Sequence, residues 1–340
     1  MIYIVSLGKS VTGGPETLHQ LARTLASMGQ EVSMYYVSPH INECPGRFKE
    51  YGIKAADKVV DSDENILIVP ETQTYLLKMF KHIKICIWWL SLDNYLDTQP
   101  VTLTRKRMVA NNWPKILFPV AFIILVAKGK IHSYRYNFED GGKYFHTYNC
   151  EYAYQYAIKH GVLKERTLYL CGPLNHSFFE RSKTMLGKKR ENIILFNPKK
   201  GREFTEKIIA KAKMEKLDAE FKAIEKMTSD QIIELMSRSK IYMDFGNFPG
   251  PERIPREAVT MGVNIITSRN GAAANDIDVP IADEFKFEDK EENIDRIIEK
   301  LNDLLENYDK YYPCFDKYRK KVLNQVELLE TNAKILLERI

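Results

Sequence analysis

The sequence predicts an α/β protein of two domains, each organised around a parallel sheet. Three observations carry this. At 340 residues the chain is long for one domain and comfortable for two, with ample core in each. It opens β-α-β: the apolar strand Ile2 to Leu7, a Gly-rich loop, a helix through about Met28, and a second strand from Glu31 to Val37. Ile66 to Val69 and Ile83 to Leu90 (IKICIWWL, interrupted only by Lys84) are continuous apolar runs, as expected of parallel strands buried on both faces. The expected division is 1–175 and 190–312, with 313–340 left as a C-terminal segment.

Composition excludes more than it selects. Hydrophobic residues make up 44% and charged residues 28%, ordinary for a soluble protein, and a net charge of +5 is small for this length, so no nucleic-acid partner is expected. The five cysteines are scattered without a CxxC pair, which fits a reducing compartment and supplies no metal framework. The N-terminus runs straight into a strand with no basic region or cleavage site, so a cytoplasmic location is expected.

In the first half, Leu18, Leu21, Ala22 and Leu25 give the opening helix its apolar face, and Gly29 ends it. The loop before it, from Gly8 to Glu16, is glycine-rich but lacks GxGxxG, so it is not a dinucleotide fingerprint. Asp61-Ser62-Asp63 precedes the Ile66 strand and sits at the wrong edge to hold a metal; it reads as a solvated turn. Thr72 to Lys81 looks helical. Ser91 to Tyr95 leaves the Ile83 strand at the same edge as the Gly-rich loop, which places Asp93 at the mouth of a cleft between the domains. A carboxylate there suits a general base for an acceptor hydroxyl, or simply caps a helix.

Ile116 to Ala127 is apolar, interrupted by Pro119 and too short to span a bilayer. Arg105, Lys106, Arg107 and Lys115 precede it, Lys128, Lys130, His132 and Arg135 follow, and Trp113 stands at one boundary. Such a segment either lies on an anionic membrane surface, giving peripheral contact through 105–135, or is buried in the first domain. Lys143 to Tyr148 is another strand, with His146 at its end. Leu174 to Lys189, polar and basic, reads as the interdomain crossing.

The second half opens with the strand Asn192 to Phe196, a Lys199-Lys200-Gly201 loop and a helix from Glu203 to Lys213. Two ammonium groups beside amides at a helix start make a phosphate seat, and Lys199, Lys200 and Arg202 are its candidates. Ser229 is expected to cap the next helix. Lys240 to Phe245 is a strand, Pro255 suits the first turn of a helix ending at Gly262, and Val263 to Thr267 is the next strand. If the strands are parallel, one sheet edge gathers Arg253, Arg256, Glu257, Arg269, Asn270 and the Gly271 amide. Guanidinium groups for phosphate, a carboxylate for a sugar diol and bare amides for oxygens suit a phosphorylated sugar ligand. Glu257, at N3 of its helix, can alternatively serve as a cap. Glu291 to Tyr308 is an amphipathic helix, Tyr311-Tyr312-Pro313 breaks it, and Phe315 to Ile340 is expected as one long final helix.

Glu257-Ala258, Gly262, the strand to Thr267 and Asn270-Gly271-Ala272 resemble the donor-binding half of the GT-B glycosyltransferases, the group-1 type of bacterial surface polysaccharide assembly. Gly13-Gly14-Pro15-Glu16 is similar to the first loop of that family. The resemblance implies two Rossmann-like domains facing across a cleft, with the C-terminal helix crossing back to the first. It implies transfer of a hexosyl group from a nucleotide-diphosphate sugar, the donor substrate, to a saccharide or lipid-linked saccharide acceptor, with no cofactor and no metal. Glu257 would bind the ribose, the amides of Gly13 and Gly14 would face donor or acceptor, and basic residues after the Asn192 strand would hold the diphosphate. A tight turn also asks for glycine at 13 and 14. One departure is that Pro249 stands where the family has a second glutamate, with Glu252 out of register. An epimerase of this fold, or a nucleotide-sugar-binding protein without catalysis, remain as alternatives.

Overall fold

The computed structural model describes residues 1–8, 12–37, 44–138, 142–185 and 188–340. Lys9, Ser10 and Val11 of the first Gly-rich loop, and Leu186 and Gly187 of the expected crossing, lie outside these. The chain divides into two compact units, Met1–Gly172 with Glu327–Ile340, and Pro173–Val326.

The first unit is a six-stranded sheet of β1 (Ile2–Leu7), β2 (Val32–Val37), β3 (Ile66–Pro70), β4 (Lys84–Trp89), β5 (Phe145–Tyr148) and β6 (Thr167–Tyr169), in the order β2-β1-β3-β4-β5-β6. Every pairing is parallel. The apolar runs are apolar because helices cover both faces: Trp88 and Trp89, adjacent on β4, point to opposite faces and are both fully buried. Helix α1 (Gly13–Ser27) packs Leu18, Leu21, Ala22 and Leu25 on one face. The stretch after β3 is a 3₁₀ segment, Glu71–Met79, with a kink at Gln73. After β4 come α2 (Leu92–Asp97), α3 (Pro100–Ala110) and α4 (Phe118–Ala127), and α5 (Glu151–Lys159) follows β5. Of the two readings of Ile116–Ala127, full burial does not hold: Ala121 and Leu125 are buried, but Ile116 is 87% and Ile123 66% exposed. His146 faces the core, where the indole of Trp89 donates to its Nδ1 at 3.1 Å, and burial lowers its pKa to about 3.

The second unit begins with α6 (His176–Ser182), inside the stretch expected to be a crossing. Its sheet comprises β7 (Glu191–Phe196), β8 (Glu220–Ala223), β9 (Ser239–Asp244), β10 (Asn264–Ser268) and β11 (Lys286–Phe287), all parallel in the order β11-β10-β9-β7-β8. Helices α7 (Arg202–Met214), α8 (Ser229–Arg238), α9 (Arg253–Thr260) and α10 (Ile294–Glu306) connect the strands or follow them. Thr228, not Ser229, caps α8: its hydroxyl accepts from the Gln231 amide while the Gln231 side chain accepts from the Thr228 amide. Gly262, at φ 80°, ends α9 as its left-handed cap residue.

The expected single C-terminal helix is two. After the short α11 (Tyr308–Tyr311), α12 (Asp316–Leu323) buries Tyr318 and Val322 in the second unit. Helix α12 ends at Asn324, and α13 (Gln325–Arg339) sets Leu329, Ala333 and Leu336 into the first unit's core against the α1 side of the sheet. The C-terminal segment thus returns to the first unit, and Arg339 ties it there through the Thr167 and Glu165 carbonyls. One straight helix would keep its apolar stripe on one line, whereas these two stripes belong to different cores.

Candidate functional site

In a doubly wound sheet, neighbouring loops diverge where the strand order reverses, and the opening lies at the carboxyl ends of the strands there. In the second unit β7 is flanked by β8 and β9, so the reversal falls between β7 and β9, and the loops in question are 197–201 and 245–252. These loops touch. A Cβ on Gly201, which sits at φ 52°, would lie 2.4 Å from the Phe245 carbonyl oxygen and 2.8 Å from the Gly246 nitrogen. The third loop is fastened the same way: a Cβ on Gly271, at φ 53°, would lie 2.2 Å from the Phe248 carbonyl, which accepts from the Ala272 amide at 2.8 Å. Only glycine permits these approaches without displacing backbone. Three loops from three parallel strands therefore form one continuous floor.

Lys200 stands on that floor, only 17% exposed. Its ammonium is 3.1 Å from Glu252 Oε2 and 3.8 Å from Asp244 Oδ2, and lies over the Phe248 ring at 4.2 Å. These are ion-pair approaches; among the described residues the ammonium donates no hydrogen bond. Asp244, at the end of β9, is buried, and desolvation raises its pKa to about 6 against the opposing pull of Lys200 and the Tyr242 hydroxyl, which donates to it at 2.7 Å. Asp289 joins from a distant segment, accepting from the Gly246 amide at 2.7 Å and from Asn270 Nδ2 at 3.1 Å, with burial holding its pKa up. Ser268 closes the set by donating to the Gly246 carbonyl at 2.7 Å.

The residues expected from sequence distribute unevenly. Lys200, Asn270 and Gly271 meet around loop 245–252, and Lys199 is on the same turn but exposed. Glu257 is 2% exposed and pairs with Arg253 Nε at 3.0 Å. The capping alternative for Glu257 is excluded, because α9 begins at Arg253 and places Glu257 past its first turn. Arg202 does not join the cluster: it is 75% exposed and paired with Glu206 one turn along α7. Arg256 turns inward, donating to Gln325 Oε1 at 2.9 Å and the Glu252 carbonyl at 3.3 Å. Arg269 turns toward β11, where its guanidinium donates to the Lys286 carbonyl and to Asp283. The turn after β10 thus sends its guanidinium toward β11 and Asn270 toward Gly246 and Asp289.

Asp244, Glu252, Asp289 and Phe248 were not expected. Asp244 carried a signal, an acid ending an otherwise apolar strand at the carboxyl edge. Asp289, far along the chain, carried none.

In the first unit the order reverses between β1 and β3, beside the loop that leads into α1. Gly13 and Gly14 are its first helical residues and neither has a positive φ. Among the described residues, nothing lies within 4 Å of a Cβ on Gly13, and on Gly14 only Leu90 at 3.7 Å. Asp93 lies in the first turn of α2, accepting from the Tyr152 hydroxyl at 3.2 Å, whereas Ser91 caps that helix. Next to it Glu71, fully buried, accepts from the Leu90 amide at 3.0 Å, and desolvation raises its pKa to about 7. Asp61, in the DSD turn, accepts from the Lys81, His82 and Ile83 amides at 2.9 Å each, so it anchors a turn. Among the described residues no cluster of His, Cys, Asp and Glu could hold a metal ion.

Two doubly wound parallel sheets, each with a strand-order reversal, make this a two-domain Rossmann-like fold of the GT-B class. Solved structures agree over the whole chain. A glycosyltransferase from Rickettsia africae has a TM-score of 0.63 at 13% identity, covering 99% of this chain and 98% of that one. Anabaena Alr3699/HepE, solved in complex with UDP-glucose, has 0.62 at 11%, covering 100% and 99%. Sucrose-phosphate synthase from Thermosynechococcus elongatus has 0.61 at 11%, covering 99% and 98%. No family model and no curated protein sequence matches the chain.

Proposed function

We propose that this protein is a glycosyltransferase that moves a hexosyl group from a nucleotide-diphosphate sugar to a hydroxyl of a saccharide acceptor. The observation that carries the reading is the half-enclosed Lys200 ammonium at the strand-order reversal of the second unit, on a floor of tightly fastened glycine loops. A cation fixed there, with the Asn270-Gly271 turn adjoining, suits a diphosphate. HepE, of the same fold, was solved with UDP-glucose and with UDP and glucose, which supports this class of donor.

In the proposed reaction the acceptor oxygen bonds to the anomeric carbon, the bond from that carbon to the diphosphate breaks, and the nucleotide diphosphate leaves with the electron pair. Lys200, with Lys199, stabilises its developing charge without calling on a metal ion or cofactor. Glu257 takes the ribose hydroxyls, Arg253 holds its carboxylate in place, and Asp93 accepts the acceptor's proton. The amides of Gly13 and Gly14 are assigned to substrate, because they open helix α1 beside the strand-order reversal of the first unit. The acceptor is assigned as lipid-linked and the pathway as bacterial surface polysaccharide assembly, capsule or lipopolysaccharide, at the cytoplasmic face of the membrane.

A second reading, a protein that binds nucleotide-sugar without turnover, is favoured by Pro249 and by the Lys200–Glu252 pair, which occupies the cation the reaction needs. One experiment separates them. The protein is incubated with a panel of nucleotide-sugars, with and without membrane extract, and free nucleotide diphosphate is followed. Acceptor-dependent release supports transfer, isomerised donor supports an epimerase, and binding without turnover supports the second reading. Lys200→Ala and Glu257→Ala should each weaken donor binding about tenfold, as loss of a charge-assisted contact does. Unchanged affinity in both removes the site assignment.

A further inference from the structure

Helices α3 and α4 form a hairpin whose inner side is closed: Thr104 and Met108 of α3 and Ala121 and Leu125 of α4 are buried. Its outer side is apolar and open. Ile116 is 87% exposed, Val120 53% and Ile123 66%, with Leu117 and Ile124 also exposed. On α4 the buried pair is spaced i, i+4 and the exposed set i, i+3, i+4, so the helix turns one apolar face inward and another outward. A helix apolar all round is stable only when covered all round, and water covers half of this one.

The base of the hairpin is pinned. His132 stacks flat on Tyr75 with ring centres 3.5 Å apart, Arg135 lies over the same ring, and Lys78 lies over Tyr134. Around the open face stand Arg105, Arg107, Lys115, Lys128 and Lys130, all exposed, and no acidic residue occurs between Asp97 and Glu139. Charge chooses the occupant. A second copy of the same face would set these cations against one another, whereas an anionic bilayer attracts them and receives the isoleucines. Ten residues of helix rise about 15 Å, half of a bilayer's hydrocarbon thickness, so α4 enters without crossing.

We propose that the α3–α4 hairpin docks the protein on an anionic membrane surface, with Ile116, Val120 and Ile123 in the acyl boundary and the surrounding Lys and Arg at the headgroups. This goes beyond the sugar-transfer reading and stands or falls separately, because vesicle binding is measured without nucleotide-sugar and donor binding without vesicles.

The unmodified full chain carries its own probe. Of its three tryptophans, Trp88 and Trp89 are fully buried and Trp113 sits at the hairpin tip. With vesicles of phosphatidylcholine and phosphatidylglycerol, the protein should cosediment, less so at high salt and less with phosphatidylcholine alone. Lipids brominated in the acyl tails should quench the Trp113 emission. The Ile116→Asp/Ile123→Asp variant, altered only at exposed positions, should keep its thermal midpoint and bind such vesicles at least about tenfold more weakly, given the apolar area withdrawn. Failure of the wild-type protein to bind anionic vesicles overturns the proposal. So does equal binding by the variant, quenching that is absent despite cosedimentation, or self-association through this face in place of vesicle binding.

Discussion

Replacing Gly201 by alanine tests whether the floor of the candidate site is a single piece. The added methyl would stand 2.4 Å from the Phe245 carbonyl oxygen and 2.8 Å from the Gly246 nitrogen. Both are backbone atoms at the end of a buried strand, so no flexible side chain can yield. Two penalties add: a left-handed backbone at a non-glycine residue, about 1–2 kcal/mol, and overpacking against backbone, about 1–3 kcal/mol. The total of about 2–5 kcal/mol is a large part of the stability of a domain. With a urea dependence of about 2 kcal/mol per molar, the unfolding midpoint of the second unit should fall by about 1–2.5 M. Far-UV circular dichroism follows both units, while tryptophan fluorescence follows the first alone, because Trp88, Trp89 and Trp113 all belong to it. Nucleotide-sugar affinity should fall by about tenfold in the same variant, since Lys200 rides on the displaced turn. A Gly201→Ala protein with wild-type dichroism midpoint and wild-type donor affinity would refute the reasoning.

Two titrations give further tests. Burial raises Glu71 from the ordinary carboxyl value of 4.5 to about 7. A raised acid contributes stability that is complete below the unfolded pKa and lost as pH climbs through the folded one, here between about 4.5 and 7, to the extent of about 3 kcal/mol. Wild-type urea midpoints read by tryptophan fluorescence should therefore fall from about pH 5 to about pH 8, and Glu71→Gln should flatten that slope; an unchanged slope in the variant counts against the assignment. Asp244, raised from 3.8 to about 6, has the same sign. As it ionises above about pH 6 it competes for Lys200, so diphosphate-sugar affinity should drop severalfold across that range, and Asp244→Asn should abolish the drop in a calorimetric titration.

Much of the architecture was legible in the chain because buried parallel strands leave a pattern that side chains on one residue after another must satisfy. After Lys84, IKICIWWL offers no polar position to solvent, and in the strand it forms only Lys84 is exposed. The carboxyl edge of the second sheet followed from the same pattern, since loops after β7, β9 and β10 must open together once those strands are parallel. What stayed hidden was direction. Arg256 and Arg269 occupy the expected positions, yet their guanidinium groups go to Gln325 and Asp283, partners separated from them in sequence. The break at Asn324 was hidden for a related reason: helical spacing continues on both sides of it, and only the two separate cores tell the stripes apart. The hairpin stayed open between two readings because apolar content alone cannot distinguish a buried helix from an uncovered one.

The cations that reach the floor are fewer than the sequence promised, and this sharpens the electrostatics. Several exposed lysines and arginines would bind a diphosphate by charge alone, with geometry supplied at the moment of binding and side-chain entropy lost with each one. Here Lys200 is held low against Phe248 between two carboxylates, on a turn whose position is set by backbone contact at Gly201. A charge fixed before the ligand arrives needs little reorganisation when negative charge develops on a leaving group, and it acts in surroundings of lower dielectric than water. The acids around it keep an unliganded cation from standing unpaired in a half-buried place, which would otherwise be costly. The glycines, the half-buried lysine and the raised carboxyl of Asp244 are thus parts of one arrangement.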